Sequence, residues 1–464
     1  MEQKPHIAIV TTPGMGLFIP MVEFGKQLVH FHGFHVTCII PNIPGPLTDT
    51  MKSALPSSVD QVFLPPVSLP QGTGADVGSL IWLSITLSLP LIRKVLKTLA
   101  ESSRLVGLLG DVFSIVAFDV AKELNIIPYV FFSSTMELSL YLHQPELDEM
   151  FPSPEVIQLP GCVPIPERDL IITDRSSQLY KWLLENSKRV RLVKGIVVNA
   201  FLDLHPAAIL ALQQEGSRNP PIYPIGPLVQ DSSPLPPVPG NEEQQDCLRW
   251  LDDQPRGSVL FVSFGSGGTL SEVQTNELAL GLEMSGHKFL WAVRSPNDES
   301  ASAAYLGGGQ GPPKHPSHFL PQGFVERTKG RGVLVPFWAP QPQILKHGST
   351  GGFLTHCGWN SILESIVNGV PLIAWPLFAE QNMNALMLTV DVKIAVRPRA
   401  NEDGLVGREE VAKIVKALME GDEGKRTRER IKELEEAAAK AVGEGGSSRK
   451  AFSQLALDMI HQSK

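Results

Sequence analysis

A strand-like run, a glycine turn, a helical spacing and a second strand-like run follow one another at the start of the chain, and that order limits the fold more than any other feature. His6 to Thr11 is a short β-type run, Thr12 to Leu17 is a glycine-bearing turn, and Ile19 to His30 carries Met21, Phe24 and Leu28 at helical spacing. Phe34 to Ile40 reads as the next strand. Strand, turn, helix and strand in this order open a doubly wound parallel sheet of an α/β protein. Further β-type runs lie at Gln61 to Leu64, Leu105 to Leu109, Pro128 to Phe132 and Gly195 to Asn199.

The pattern breaks at Asp231 to Asp246, where Pro234, Pro236, Pro237 and Pro239 are followed by Glu242, Glu243 and Asp246 and little in between can pack. Such a stretch predicts a semi-extended interdomain linker. After it the alternation restarts. Strands are predicted at Ser258 to Phe264, Lys288 to Arg294, Gly332 to Phe337, Gly352 to Thr355 and Pro371 to Trp375, with a helix at Ser271 to Ser285. Glu409 to Glu420 and Gly424 to Val442 are long helical patterns rich in Lys and Glu, and Ser447 to Gln462 is a last helix. A chain of 464 residues exceeds what one hydrophobic core usually supports, so two domains are expected. The simplest architecture is two Rossmann-like domains whose parallel sheets face each other across a cleft. The first spans 1–240 and ends in the linker 231–246, the second spans 241–445, and the helix of 446–464 follows.

Composition narrows the partners. A hydrophobic fraction of 43% with 19% charged residues is globular. The net charge of −8, with no polybasic run, argues against nucleic acid or an anionic membrane surface and leaves a small molecule as the expected partner. Cys38, Cys162, Cys247 and Cys357 are scattered without CxxC spacing, which fits a reducing compartment and offers no metal framework. The opening MEQKPHIAIVTTPG reaches its apolar run too soon for a secretory signal. Leu80 to Ile92 is broken by serines, Thr86 and Pro90, short of the roughly 20 apolar residues of a spanning helix. A soluble, cytoplasmic chain is therefore expected. Leu80 to Leu91 and Tyr141 to Met150 read as apolar loops, and Ser295 to Pro321 as a mobile surface loop.

The chemistry concentrates in Trp338 to Gln381, WAPQPQILKHGSTGGFLTHCGWNSILESIVNGVPLIAWPLFAEQ. It reads as a strand end at Trp338, a helix, a short strand, a turn with His356 and Gly358, and a helix opening at Trp359 and Asn360. Amides at a helix N-terminus carry partial positive charge and hold a diphosphate without a metal or a lysine. Glu364 lies one turn further along and shares a face with Asn360.

This window resembles the signature box of plant UDP-sugar-dependent glycosyltransferases. PGMG with IPMVEFGKQL, LPGCVPIP, YPIGPL, CLRWLDDQPRGSVLFVSFGSGG and ERTKGRG extend the resemblance over essentially the whole chain and towards the hydroquinone glucosyltransferase (arbutin synthase) subgroup. The resemblance implies a GT-B fold in which the last helix braces the first domain. It implies inverting transfer to a small, phenolic acceptor, with UDP-glucose as co-substrate and neither cofactor nor metal; a monomer is expected, though the sequence itself is silent on oligomeric state. It also implies roles. Trp338 stacks on uracil, the Ala339 backbone meets the ring edge, and Gln341 belongs to the donor site. His356, Gly358, Asn360, Ser361 and Ser266 hold the phosphates, and Glu364 accepts from the ribose hydroxyls. Trp359, Glu380 and Gln381 close around the sugar, the terminal glutamine going with glucose. Ser134 and Thr135 are candidates for contact with sugar or acceptor.

One position departs from the pattern. The family's catalytic histidine follows the PGMG turn, where this chain has Leu17, while the aspartate that orients the histidine persists as Asp111 in GDVFS. Leucine neither accepts a proton nor hydrogen-bonds, and a general base contributes about 100- to 10,000-fold. His6, His30, His32 and His35 belong to the opening strand, helix and loop and do not replace it. The subgroup's FGTDAFD is here Phe113 to Asp119, FSIVAFD, so that Ile115 and Val116 replace polar residues. Three accounts stay open: transfer to acceptors that attack as anions, with Asp111 alone taking or relaying a proton; a binding protein that has lost transfer; and a cleft turned to cyclisation or elimination. An engineered His-to-Leu change is a further origin for Leu17.

Overall fold

The central strands of the computed structural model are buried on both faces, as expected of parallel sheets covered by helices, while the edge strands are partly exposed. It describes residues 3–42, 51, 55–69, 76–150, 155–214, 219–230, 242–305 and 316–462. The chain forms two units, Met1–Val229 with Ala438–Lys464, and Gln230–Ala437.

Among the described residues, the first unit holds β1 (Pro5–Val10), β2 (His35–Ile40), β3 (Asp60–Phe63), β4 (Arg104–Asp111), β5 (Pro128–Phe132), a small antiparallel pair β6 (Val156–Ile157) and β7 (Ile165–Pro166), β8 (Gly195–Val198) and β9 (Ile222–Pro224). The main sheet runs β3-β2-β1-β4-β5-β8-β9, parallel throughout. The strands read from sequence are present, with ends moved by one or two residues. β6, β7 and β9, two or three residues each, carry too little pattern to be read.

The first helix starts at Met15, so Leu17 lies in its first turn and not in the turn before it. Extended Gly14 precedes it, and Gly33 closes it in the left-handed region at φ 67° with its N–H on the Leu28 carbonyl. The helix Ser447–His461 packs on this unit: Phe452, Leu455, Ala456 and Met459 share a core with Phe24, Leu28 and Tyr223. The Tyr223 hydroxyl donates to Asp458 Oδ2 at 2.6 Å.

Two apolar stretches expected as loops are helices. Leu80 to Leu91 lies inside Val77–Ser102, capped by Asp76, whose carboxylate accepts from Ser79 N–H at 2.8 Å. The polar residues that broke the pattern are absorbed locally. Ser84, Thr86 and Ser88 donate their hydroxyls to the carbonyls of Leu80, Trp82 and Ser84 at 2.7–2.8 Å, while Ile81, Ile85, Ile92 and Leu96 form the buried face. By length and composition alone this helix could cross a membrane, a test that core helices of soluble proteins also pass. Tyr141 to Met150 lies largely inside Thr135–Glu149.

The second unit carries β10 (Val259–Ser263), β11 (Lys288–Val293), β12 (Gly332–Pro336), β13 (Thr350–Thr355), β14 (Leu372–Ala374) and β15 (Ala395–Val396), in the order β12-β11-β10-β13-β14-β15 and again parallel. Helix Glu272–Ser285 packs on Arg408–Met419 at Gly281, where an added Cβ would stand 2.4 Å from Val411 Cβ. Residues 231–241 of the expected linker lie outside the described residues, and 242–246 begin the helix Glu242–Asp252. Of the loop expected at 295–321, 306–315 lie outside them. The part before is tied down, with Asn297 N–H on Leu270 O at 2.8 Å and Thr269 N–H on Ala301 O at 2.9 Å.

Candidate functional site

Parallel strands deliver their C-terminal ends to one edge of a sheet, and the residues singled out in the second unit follow the ends of β10, β12, β13 and β14. The backbone there is strained. Phe337, Cys357 and Ala379 have φ of 64°, 65° and 56°, the left-handed region that side chains disfavour. Each is adjacent to an expected contact, Trp338, His356 or Glu380. Such conformations cost of order 1–3 kcal/mol apiece and persist only where the surroundings impose them. At Cys357 the imposition is visible: its N–H donates to Thr355 Oγ1 at 3.3 Å and its carbonyl accepts from Asn384 Nδ2 at 3.0 Å.

His356 sits in a slot between two glycines. A Cβ on Gly265 would fall 2.3 Å from its Cε1, and one on Gly358 2.3 Å from its Nε2. Burial pushes the imidazole down to about 3, and the charge of Arg294 adds to the effect. The ring is therefore neutral at pH 7, one nitrogen a donor and the other an acceptor. Its Nδ1 is buried with no hydrogen-bond partner. A polar atom left in that state is costly unless a ligand meets it or the ring adjusts.

The helix Trp359–Val367 begins beside this ring. Extended Gly358 precedes it, no side chain caps it, and its first turn holds no acidic residue. With no side-chain cap and no acidic residue there, the positive end of this helix is a place that favours an anion. Gln341 Nε2 donates to both Ser361 Oγ at 2.9 Å and Glu364 Oε2 at 2.7 Å. That bond occupies Ser361 as an acceptor and directs its own O–H elsewhere. Burial raises the Glu364 carboxyl to about 7, against which the Gln341 bond works. Burial also raises Glu380.

Gln381 accepts from the Leu377 and Phe378 N–H groups at 2.9 and 3.0 Å, which holds the loop after β14. Trp338 is 44% exposed, whereas Trp359 is 3% exposed. Ala339 is buried and its carbonyl already accepts Gln341 N–H at 2.8 Å. Ser266 is half-buried in the turn after β10. Gly265 and Asn384 escaped the sequence reading. A glycine after a strand was the only signal for the first, and nothing local marked the second. Among the described residues, no group of three or more His, Cys, Asp or Glu is placed to hold a metal ion.

In the first unit Asp111, fully buried at the end of β4, is filled with donors. Its Oδ2 accepts from Thr12 N–H at 2.5 Å, and its Oδ1 from Thr12 Oγ1 at 2.8 Å and from the N–H groups of Phe113 and Ser114, each at 3.0 Å. The carboxylate ties the ends of β1 and β4 together. Burial raises its pKa while these bonds lower it. Leu17 is 8% exposed, and Ile115 and Val116 are buried. Ser134 caps the helix Thr135–Glu149, accepting from Glu137 N–H at 3.2 Å, and Thr135 Oγ1 lies 2.6 Å from His205 Nδ1. Both are fully buried with hydroxyls engaged inside the unit, so this geometry lends no support to contact with a sugar or acceptor.

Comparison with known proteins identifies the family. The pattern of the UDP-glucoronosyl and UDP-glucosyl transferase family matches residues 223–434. The chain is 54% identical to hydroquinone glucosyltransferase of Rauvolfia serpentina, over 98% of each chain. It is 51% identical to UDP-glycosyltransferase 72B1 of Arabidopsis thaliana, over 98% of this chain and 96% of that one. The structure of Phytolacca americana UGT2 with UDP-2fluoro-glucose and pterostilbene superposes with a TM-score of 0.88 at 48% identity, covering 98% of this chain and 100% of the other. A Polygonum tinctorium UDP-glucosyltransferase capable of glucosylating indoxyl, in complex with 3,4-dichloroaniline, gives 0.89 at 42% identity, over 99% and 100%.

Two Rossmann-like units with parallel sheets, together with these likenesses, define a glycosyltransferase of the GT-B type. The chain belongs to the UDP-glucoronosyl and UDP-glucosyl transferase family, with the plant hydroquinone glucosyltransferase among its relatives.

Proposed function

We propose that this chain moves glucose from UDP-glucose to small aromatic acceptors acidic enough to attack as anions. One observation carries the reading: Leu17 occupies the place where the family resemblance puts a base, and Asp111, its expected partner, has its carboxylate filled by four donors. A carboxylate so engaged is a poor acceptor for a travelling proton, which disfavours a relay through Asp111 alone. An acceptor that arrives ionised needs neither group. Its oxygen bonds to the anomeric carbon as the bond to the diphosphate oxygen breaks, with inversion, and no proton has to move.

The negative charge then collects on UDP. The amide end of the helix at Trp359, the neutral His356 and the Ser361 hydroxyl are suited to receive it. Glu364 suits the ribose hydroxyls, and the Trp338 face the uracil. The phenol pterostilbene in the Phytolacca structure and the indoxyl activity of the Polygonum relative support a small aromatic acceptor.

A phenol of pKa about 10 costs about 4 kcal/mol to ionise at pH 7, and one near 7 costs almost nothing. Rates of the protein with UDP-glucose across a graded series of phenols are expected to rise with pH and to fall as acceptor pKa rises. Leu17→His should raise transfer to the weakly acidic members by about 100- to 10,000-fold. Equal wild-type rates across the series sink this account. Failure of both versions to transfer, with UDP still bound, points to a lost or repurposed activity instead.

A further inference from the structure

Arg294 follows β11 at the C-terminal edge of the second sheet, and no carboxylate among the described residues pairs with it. Arg327 and Arg408 in the same unit each pair with a glutamate, Glu283 and Glu277, on their own surfaces. For Arg294 the described residues offer no ion pair. Its Nη1 donates to the carbonyl of Gly268 at 3.2 Å, at the far end of the Gly265–Gly268 turn. Loss of hydration pulls its pKa down to about 10. A guanidinium stays charged there at pH 7, so the fold holds a partly desolvated cation in place.

The surroundings indicate what that cation is for. The turn it pins carries Ser266 and also Gly265, which forms one wall of the His356 slot. His356 itself registers the Arg294 charge. The imidazole has a buried nitrogen without a partner, and the uncapped helix of Trp359–Val367 starts just beyond it. Positive potential thus converges from behind the turn onto the region where anions are favoured, and none of the described carboxylates neutralises it through an ion pair with Arg294.

We propose that Arg294 is the fixed counter-charge for the diphosphate of the sugar nucleotide, acting through the Gly265–Gly268 turn. It rests on the UDP-sugar reading above and adds to it a positioning residue that stands behind the site. Charge grows on the diphosphate as the glycosidic bond breaks, so Arg294 favours UDP and the transition state over UDP-glucose. Its loss should therefore reduce kcat more than it raises the KM for UDP-glucose.

The test compares UDP with uridine as ligands for wild type, Arg294→Met and Arg294→Lys. Calorimetry serves for UDP and ligand-observed NMR for uridine, each at low and high salt. Arg294→Met should weaken UDP by roughly 10- to 100-fold with little change for uridine, and flatten the salt dependence of UDP binding. Arg294→Lys, which keeps the charge and loses the fork, should recover most of the affinity. Equal weakening of UDP and uridine by Arg294→Met, or an Arg294→Lys protein that is folded and no better than Arg294→Met, overturns the proposal in favour of a structural role for the Gly268 bond. Should Arg294→Met fail to fold, the salt dependence and the UDP-to-uridine affinity ratio of Arg294→Lys decide alone: wild-type-like values support the proposal, and a ratio collapsed towards one refutes it. Absence of UDP binding by the wild type is a separate result, and it removes the UDP-sugar reading itself.

Discussion

Glu364→Gln should make the second unit more stable and the nucleotide site worse. The carboxyl is buried, and its pKa stands at about 7 against an ordinary 4.5. The folded state therefore holds this proton more tightly than the unfolded state does. Stability contributed by the group is intact below 4.5, falls as pH rises from there to about 7, and is flat beyond. At about 1.36 kcal/mol per pH unit, the penalty is about 1 kcal/mol at pH 5 and about 3 kcal/mol at pH 8. Glutamine carries no charge to bury and still accepts the Gln341 hydrogen bond. Thermal unfolding of wild type and Glu364→Gln should show the variant melting higher by ~6–12 °C at pH 8, taking the scaling for a unit of this size, and only slightly higher at pH 5. Calorimetry should show weaker UDP binding, since a carboxylate is the stronger acceptor for two ribose hydroxyls. A stability gain that does not depend on pH refutes the reasoning, because it would place the strain in packing and not in the buried charge.

Two further outcomes follow from the geometry. Gly265→Ala should abolish UDP binding while leaving the fold, because its Cβ would enter the His356 ring and its φ of 72° is strained for alanine at about 1 kcal/mol. Unchanged UDP affinity by calorimetry would show that the imidazole is not held by this wall. Asp111→Asn turns one of two acceptor oxygens into a donor facing N–H or O–H groups, and should cost the first unit about 2–3 kcal/mol in chemical denaturation. A catalytic role alone predicts lost turnover with stability untouched.

The strand-turn-helix order was readable in β1 to β5 because parallel strands buried on both faces are written as continuous apolar runs. Two- and three-residue strands such as β9 and β15 hold no such run, since pairing with a neighbour defines them. Val77–Ser102 misled because serine and threonine were counted as breaks, whereas in a helix their hydroxyls fold back onto the preceding turn. In the candidate site, the types His356, Glu364 and Gln381 could be read from their window, yet their states could not. The neutrality of His356 and the raised carboxyl of Glu364 are products of burial, and the filled Asp111 depends on Thr12, 99 residues away along the chain. The left-handed residues Phe337, Cys357 and Ala379 are invisible by nature, because side-chain identity argues against the conformation that tertiary contacts impose.

The first core borrows Phe452, Leu455, Ala456 and Met459 from the far end of the sequence. During translation, Phe24 and Leu28 must therefore wait beside a vacant groove while the 208 residues of Gln230–Ala437 emerge and fold. The second unit is continuous in sequence and needs no residue from beyond Ala437 to complete itself. Until the closing helix arrives, the N-terminal half therefore exposes apolar side chains of the kind that make partly folded chains prone to aggregate.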